Sequence, residues 1–243
     1  MIYLSQADIH QEKFPATDLY PFNLDIFRQT RTIPFDRAIT FFIGENGTGK
    51  STLLRALATA CRIHIWQDPA FARLAPNPYE DQFYRTVSIR WEADPVPGAF
   101  FGAQIFSHFA RSLEQWAISD PNMLDYFGGK SLMAQSHGQS LMSYFSSRYS
   151  RKGLYLMDEP ETALSPTSLI RLLNLLIRLR QQGHAQFVIA THSPLLLACP
   201  DARILNFDGE TIRPVAYEET DYYRLYKDFM ADPGHFIQAE NTP

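Results

Sequence analysis

The stretch that decides the fold is ITFFIGENGTGKS, at residues 39–51. Its first five residues are a short and strongly apolar run, which is typical of a strand buried inside a sheet. A turn with three glycines follows at once, and leucines then recur at helical spacing. This order predicts a buried strand at 39–43, a glycine-rich turn, and a helix over 51–65.

The glycine-rich turn fits the pattern G-x-x-x-x-G-K-[ST], with Gly44, Gly49, Lys50 and Ser51 at the required positions. Glycines let successive backbone N–H groups converge on phosphate oxygens, and the helix N-terminus adds the positive end of its dipole. The pattern therefore predicts a cradle for ATP, in which Lys50 reaches the β- and γ-phosphates and Ser51 binds Mg²⁺. The alternative is a glycine-rich turn without a ligand. Further phosphate contacts are expected from Asn46, Gly47, Thr48 and Thr52.

A second apolar run, LYLM at 154–157, ends in two carboxylates, Asp158 and Glu159. A strand that ends in this way is the expected partner of a phosphate-binding loop. We expect Asp158 to hold Mg²⁺ through water and Glu159 to act as a general base on the attacking water. The alternative is a strand that simply ends in acidic surface residues.

Two further segments carry a family resemblance. MDEPETALSP at 157–166 resembles the Walker B segment and D-loop of ABC ATPases, and ATHSP at 190–194 resembles their H-loop. The resemblance implies that His192 contacts the γ-phosphate. It also implies an antiparallel β portion near the N-terminus and a small helical lid subdomain.

The signature segment of this family, usually LSGGQ, is matched by QSHGQ at 135–139. Ser136, Gly138 and Gln139 agree with it, whereas Gln135 and His137 depart. In the family this segment completes the nucleotide site of the opposite subunit, so the resemblance implies a head-to-tail homodimer formed on ATP binding. The alternative is a helix start that happens to be rich in Ser and Gly.

Gln104, at the end of a predicted strand over 99–106, resembles the Q-loop glutamine, which senses Mg²⁺ and the attacking water. A surface glutamine is the alternative. Tyr20 and Phe22 lie upstream of the glycine-rich loop, and core packing is the expectation for both aromatic side chains.

The rest of the chain predicts an α/β fold, with a mostly parallel sheet flanked by helices. We expect a single domain over 1–243, with a helical lid and signature subregion at about 107–150 and a tail at 211–243. Further strands are predicted at 2–9, 86–92, 186–190 and 203–207, and further helices at 107–118, 139–149, 166–182 and 221–230.

Composition and charge argue against several kinds of protein, namely strongly basic nucleic-acid binders, cysteine-based metal proteins and membrane-spanning proteins. The net charge is −4 and 45% of residues are hydrophobic, which argues against wholesale electrostatic binding of nucleic acid but leaves a local basic patch open. The two cysteines lie outside any metal-binding pattern. No leader-like N-terminus is evident, and no apolar run reaches the roughly 18–20 residues of a membrane span. The sequence therefore predicts a cytoplasmic protein.

Three functions fit these motifs. The first is a stand-alone ATPase resembling the recombination and SMC-like branch of the family, which drives a conformational change in an unidentified partner. That partner is more readily a protein than a nucleic acid, and DNA repair or defence is the expected setting. The second is the nucleotide-binding subunit of a membrane transporter, which the altered signature and weak Q-loop disfavour. The third is a non-catalytic clamp, which ATP closes on DNA or protein.

Overall fold

The computed structural model describes residues 1–66, 77–127 and 129–237, with the backbone alone at 104, 105, 107, 121 and 137. Within these ranges the strands are β1 (Leu4–Ile9), β2 (Thr32–Pro34), β3 (Ile39–Ile43), β4 (Val87–Trp91), β5 (Gly98–Gly102), β6 (Gly153–Asp158), β7 (Ala185–Ala190), β8 (Arg203–Asn206) and β9 (Arg213–Val215). The helices are α1 (Asp25–Gln29), α2 (Lys50–Ala60), α3 (Ala103–Ser119), α4 (His137–Arg148), α5 (Pro166–Gln182), α6 (Pro194–Leu197), α7 (Asp221–Ala231) and α8 (Pro233–Phe236). Short 3₁₀ turns cover Gln11–Lys13, Phe83–Thr86, Pro121–Phe127, Pro160–Ala163 and Tyr217–Glu219.

The main sheet has the strand order β5-β6-β7-β3-β8-β9. Its first five strands are parallel, and only β9 pairs antiparallel, at one edge. All five residues of β3 are buried, and its alternate side chains enter two different hydrophobic clusters. Phe41 belongs to the cluster under α3, α4 and α5, whereas Phe42 faces the cluster that contains α1 and α2. Because both faces are covered, the strand is apolar except for Thr40. The predicted α/β class is therefore confirmed.

A second sheet, of order β2-β1-β4, is antiparallel and lies beside the first. One buried side chain joins the two sheets. The carboxamide of Gln186, on β7, accepts from the backbone N–H groups of Tyr3 (2.8 Å) and Leu4 (2.9 Å) and donates to the Leu4 carbonyl (2.8 Å). The N-terminal strand thus attaches to the parallel sheet through a side chain rather than through a ladder.

Helix α5 has the bounds predicted from sequence, because its ends carry explicit signals. Ser165 caps the N-terminus by accepting from the backbone N–H of Ser168, Pro166 occupies the first turn, and Gly183 ends the helix at φ 73°. Its buried face consists of leucines at helical spacing, namely Leu169, Leu172, Leu175, Leu176 and Leu179.

Three predicted boundaries were wrong. Helix α2 ends at Ala60 rather than near residue 65, because Arg62 adopts a left-handed φ of 58°. The strand predicted at 99–106 ends at Gly102, and α3 begins at Ala103 instead of residue 107. The apolar run does not distinguish a buried strand from a buried helix, so its strand-to-helix junction could not be read from periodicity. The sequence also predicts a surface loop at 68–82, rich in proline and aspartate, and most of it lies outside the described residues, since 67–76 are not described.

The topology brings the loops that follow four parallel strands to one edge. Strand β3 lies between β7 and β8, and β6 lies on the far side of β7. Ligands of open α/β sheets bind outside the carboxyl ends of such strands.

In the part of the chain that the structure describes, no helix is both long and apolar enough to cross a bilayer.

Candidate nucleotide-binding site

The loop between β3 and α2 depends on its glycines. Gly44, Gly47 and Gly49 have φ values of 139°, 83° and 100°, which other residues rarely adopt. A Cβ at position 49 would also lie 2.6 Å from the ring of Phe27, so no side chain fits there. The loop therefore wraps an open space with its backbone and opens directly into the N-terminus of α2, which suits an anion.

Lys50 is almost fully buried, with 4% of its surface exposed. Its Nζ donates to the carbonyls of Gly44 (2.6 Å) and Glu45 (2.7 Å), so the side chain folds back along the loop. Burial lowers the pKa of the ammonium group, and the nearby carboxylate of Glu159 opposes that shift. A buried cation whose hydrogen-bond partners are neutral carbonyls would bind more strongly to the negatively charged oxygens of a phosphate.

Ser51 and Asp158 meet at the start of α2 and the end of β6. The Ser51 Oγ donates to Asp158 Oδ1 at 2.7 Å. Burial raises the pKa of the Asp158 carboxyl, and the Ser51 hydrogen bond and the charge of Arg55 oppose the shift. A buried carboxylate beside a hydroxyl is a donor set that suits Mg²⁺, which takes few protein ligands and fills its shell with water and phosphate.

Metal binding by protein side chains alone finds less support. Among the described residues, no group of three or more His, Cys, Asp or Glu side chains is placed to hold an ion. The Ser51–Asp158 pair therefore fits a metal that arrives with the phosphates rather than one held by a complete protein cage.

Glu159 has a left-handed backbone conformation, with φ 46° and ψ 57°. Its N–H donates to the carbonyl of Ala190 on β7 (3.0 Å), and its own carbonyl accepts from the backbone N–H (3.2 Å) and hydroxyl (2.9 Å) of Thr162. These bonds hold a conformation that costs about 1–2 kcal/mol in an ordinary residue. The turn aims the carboxylate at His192, whose Nε2 lies 3.6 Å from Glu159 Oε1.

His192 follows β7 and is held at two points. Its backbone N–H donates to Glu161 Oε1 (2.5 Å), and its Nδ1 lies 2.7 Å from the hydroxyl of Tyr222. That hydroxyl in turn donates to the carbonyl of Gly44 at 2.8 Å. The Nε2 of His192 is buried and has no hydrogen-bond partner within the described part of the chain. Burial also raises the pKa of the Glu161 carboxyl.

These groups surround a cavity of about 220 Å³, lined by Glu45, Asn46, Glu159, His192 and Tyr222. Lys50 does not line this cavity but donates to the carbonyl of Glu45, which does, and the Ser51–Asp158 pair directly precedes Glu159 in the chain through Asp158. The structure thus brings together three separated segments that the sequence had assigned to one site, and adds Tyr222 from a fourth.

The signature residues lie elsewhere. Ser136, Gly138 and Gln139 line an open groove of about 940 Å³, together with Ser165 and Ser168 at the start of α5. The N–H of Ser136 donates to Gln139 Oε1 (3.2 Å), which closes the first turn of α4. This groove shares no lining residue with the cavity beside His192. The side chain of His137 lies outside the described residues.

The remaining predicted residues lie beside the loop, in the core and at the start of α3. Thr48 donates to the carbonyl of Glu45 (2.9 Å) and so shapes the loop, and the Thr52 hydroxyl contacts that of Tyr20. Phe22 is fully buried, as expected for core packing, whereas Tyr20 is 36% exposed. Gln104 lies in the first turn of α3, not at a strand end, and its side chain lies outside the described residues.

Sequence reasoning missed three residues of the site. Asp208, just beyond β8, accepts from the N–H of Glu45 at 2.6 Å and so holds the loop. Its place after a predicted strand is a signal that could have identified it. Glu161 could have been identified as the third acidic residue of MDEPE. Tyr222 carries no such signal, because it comes from the C-terminal region through tertiary contact alone.

Two family models match parts of the chain. One, described as "AAA domain, putative AbiEii toxin, Type IV TA system", covers residues 136–198, and the other, "AAA domain", covers residues 22–62. The first spans the signature, acidic and histidine segments, and the second spans the glycine-rich loop.

Curated relatives are similar over a larger part of the chain. The Petrobactin import ATP-binding protein FpuD of Bacillus anthracis is 28% identical over 66% of this chain and 64% of its own length. The Probable siderophore transport system ATP-binding protein YusV of Bacillus subtilis (strain 168) is 27% identical over 66% and 63%. The chain therefore spans less than two thirds of these relatives. The Uncharacterized ABC transporter ATP-binding protein YthP of the same strain is 28% identical over 79% and 78%.

Solved structures share the fold. CbiO1 from Clostridium perfringens, part of the ABC transporter complex cbiONQ, has a TM-score of 0.53 at 16% identity, covering 97% of this chain and 99% of its own. A putative metal-chelate type ABC transporter in an inward-facing conformation has a TM-score of 0.50 at 18% identity, covering 93% and 88%. At these identities the likeness concerns the fold alone.

Proposed function

Because this chain is an ABC-type P-loop ATPase by family, we propose that it binds Mg-ATP on residues 44–52 and hydrolyses it within a head-to-tail homodimer. The observation that carries the proposal is the meeting of Lys50, the Ser51–Asp158 pair and Glu159 at one edge of the sheet. Two segments then supply the phosphate, metal and water chemistry: the glycine-rich loop with the start of α2, and the end of β6.

Phosphate binding is assigned to the loop and Lys50. The left-handed glycines present backbone N–H groups, and the Lys50 ammonium would exchange its two carbonyl partners for phosphate oxygens. Gly47 and Thr48 belong to the same loop, and Thr52 lies in the first turn of α2. A charge-assisted bond to phosphate is stronger than one to a neutral carbonyl, so exchange favours the bound state.

Metal binding is assigned to Ser51 and Asp158, with Gln104 as a further candidate from the sequence. Bound Mg²⁺ would neutralise phosphate charge and help to orient the leaving group. Asp158 is the more convincing ligand, since a nearby cation offsets the cost of burying its charge.

Water activation is assigned to Glu159. Its carboxylate is partly exposed and borders the cavity. The negative charge of this carboxylate also acts on the ammonium group of Lys50. A carboxylate in this position can accept a proton from a water molecule as that water attacks the terminal phosphorus. His192, which also lines the cavity, is assigned to the γ-phosphate.

The dimer is supported by the separation of the two halves of the site. Ser136, Gly138 and Gln139 line a groove that includes none of the residues around the His192 cavity. A serine and glycine at a helix N-terminus suit a phosphate, but within one chain they face a different opening. A second copy in head-to-tail orientation would place the groove of one protomer over the loop of the other.

The test compares wild type with Glu159→Gln. We expect the variant to bind ATP, to lose hydrolysis by on the order of 10²–10⁴-fold, and to accumulate as an ATP-bound dimer. Turnover and light-scattering mass with and without Mg-ATP measure these outcomes. Glu92→Gln, an exposed substitution just beyond β4, is the matched control and should behave as wild type. An E159Q protein that stays monomeric with ATP contradicts the dimer, and one that still turns over contradicts the role of Glu159.

A transporter subunit is the second candidate function, because the curated relatives reported above are named as transporter ATP-binding proteins. The stand-alone ATPase, with a protein or nucleic-acid partner, remains the first candidate. Capture experiments with the ATP-bound E159Q form discriminate the two. A bound integral membrane protein supports the transporter subunit, whereas bound DNA or a partner without membrane spans supports the stand-alone ATPase or clamp.

A further inference from the structure

We propose that Tyr222 is a positioning residue that fixes the tautomer of His192, with the proton on Nδ1 and the lone pair on Nε2, the atom that lies 3.6 Å from Glu159 Oε1. The role of this tautomer in catalysis rests on the proposed ATPase function, but the tautomer itself does not. The inference concerns a residue of the C-terminal helix α7, which neither the motifs nor the family resemblance indicated.

The argument starts from the single proton of the Tyr222 hydroxyl. Its oxygen lies 2.8 Å from the carbonyl of Gly44 and 2.7 Å from Nδ1 of His192, and both are hydrogen-bond distances. A carbonyl can only accept, so the hydroxyl must donate its proton to Gly44. The same hydroxyl can then only accept from His192, and Nδ1 must carry a proton.

A neutral imidazole has one N–H, so a proton on Nδ1 leaves Nε2 as an acceptor. The structure places that Nε2 in a buried position, 3.6 Å from Glu159 Oε1 and without a hydrogen-bond partner among the described residues. Since a carboxylate also only accepts, the two groups do not pair while the ring is neutral. Both atoms are therefore acceptors that face each other without a proton between them.

This tautomer constrains how His192 meets a phosphate. A phosphate oxygen accepts hydrogen bonds, so a neutral ring with its lone pair on Nε2 offers it none. Contact requires that Nε2 first take up a proton, after which the ring donates from both nitrogens, to Tyr222 and to the phosphate. Tyr222 thus makes the histidine contact depend on a proton at one defined atom.

The position of Tyr222 is itself well defined. It lies in the first turn of α7, where the Thr220 hydroxyl accepts from the N–H of Tyr223 at 3.2 Å. The hydroxyl of Tyr217, just before the helix, donates to the carbonyl of Pro194 at 3.1 Å, next to the His192 turn. These bonds anchor the start of α7 beside the site, although the helix has no fully buried residue.

The first test reads the tautomer directly, without nucleotide. The ¹⁵N chemical shifts of His192, assigned by comparison with His192→Ala, distinguish a protonated from an unprotonated ring nitrogen at a pH where the ring is neutral. We expect Nδ1–H in wild type, and a loss of that preference in Tyr222→Phe, which removes only the hydroxyl. Tyr226→Phe is the matched control, since Tyr226 lies one turn further along α7 and is 54% exposed.

Either of two results overturns the inference: a wild-type His192 protonated on Nε2, or a tautomer that Y222F leaves unchanged. Because no ATP is present, these outcomes are independent of whether the proposed ATPase function is correct. We expect Y222F to fold, because phenylalanine has nearly the same shape as tyrosine. Far-UV circular dichroism of the variant checks this. If Y222F still proves unfolded, the wild-type measurement alone decides the question.

The second test asks whether Tyr222 acts through His192. We expect Y222F to lower kcat about tenfold, the rate equivalent of one hydrogen bond, with a smaller effect on KM. In a His192→Ala background the same substitution should cause no further loss, because the ring that it positions is absent. Equal losses in both backgrounds would show a general structural role and contradict the proposal.

Discussion

At the residue scale, the site stores strain at the position that the proposed chemistry needs. Glu159 holds a left-handed conformation that glycine adopts without penalty, and three hydrogen bonds to Ala190 and Thr162 keep it there. Strained backbone of this kind persists where the surrounding structure over-determines it. The carboxylate therefore gains its direction at a cost in stability.

This cost can be measured with a pair of substitutions. We expect Glu159→Gly to be more stable than Glu159→Ala by about 1 kcal/mol, because only glycine relieves the left-handed strain. Urea unfolding of both variants gives the difference. The same pair at Asn174, an exposed position within α5, should differ with the opposite sign, since glycine costs about 1 kcal/mol in a helix. Equal stability of the two Glu159 variants would mean that the conformation is unstrained.

At the element scale, the two sheets depend on one polar side chain. Gln186 is fully buried in β7, and its carboxamide satisfies two N–H groups and one carbonyl at the start of β1. The sequence predicted a strand at 2–9, but nothing in that stretch indicated which distant residue would pair with its first backbone groups. The attachment of β1 is therefore a tertiary feature.

Replacing this side chain should weaken the whole fold. We expect Gln186→Leu to lower the free energy of unfolding by about 2–5 kcal/mol, since each buried group left without a partner costs roughly 1–3 kcal/mol. Denaturant unfolding gives the value. Gln29→Leu, at the exposed end of α1, should change stability by less than about 0.5 kcal/mol. A similarly small effect at Gln186 would mean that water or a local shift can replace the carboxamide.

At the scale of the whole molecule, the two halves of the proposed site lie on one chain but in separate openings. A head-to-tail dimer predicts that defects in different halves complement each other. Lys50→Ala disables a loop and leaves its signature groove intact. Gly138→Asp leaves the loop intact and places a carboxylate in the groove, where it repels phosphate but suits the helix N-terminus and so preserves the fold.

We expect each of these variants to be inactive alone and an equimolar mixture to recover about a quarter of the wild-type ATPase rate. Half of randomly formed dimers are mixed, and one of the two sites in each mixed dimer is competent. A mixture of Lys50→Ala with Glu159→Gln is the control, because both defects fall in the same half and no competent site forms. Absence of recovery in the first mixture would contradict the head-to-tail arrangement.

The domain boundaries, the roles of the site residues and the SMC-like branch stay predictions. The α/β class is confirmed by the strand order, and the comparisons support the predicted likeness to ABC-type P-loop ATPases. Strand β3 and helix α5 were predicted with their observed bounds, because apolar runs, caps and proline are local signals. The junction at Gly102 was not, because an apolar run reads the same in a strand and in a helix.

By itself, the sequence determined the succession of strand, glycine-rich loop and helix that starts at residue 39, the acidic pair at the end of β6 and the histidine after β7. Each is encoded by residues adjacent in the chain, whose backbone and charge requirements do not depend on distant partners. Only the tertiary structure decided that Tyr222 reaches Gly44, 178 positions away, and that Gln186 holds the first backbone groups of β1. Such contacts form where the packing of the two hydrophobic clusters brings separate segments together, and no local pattern records which segments those will be.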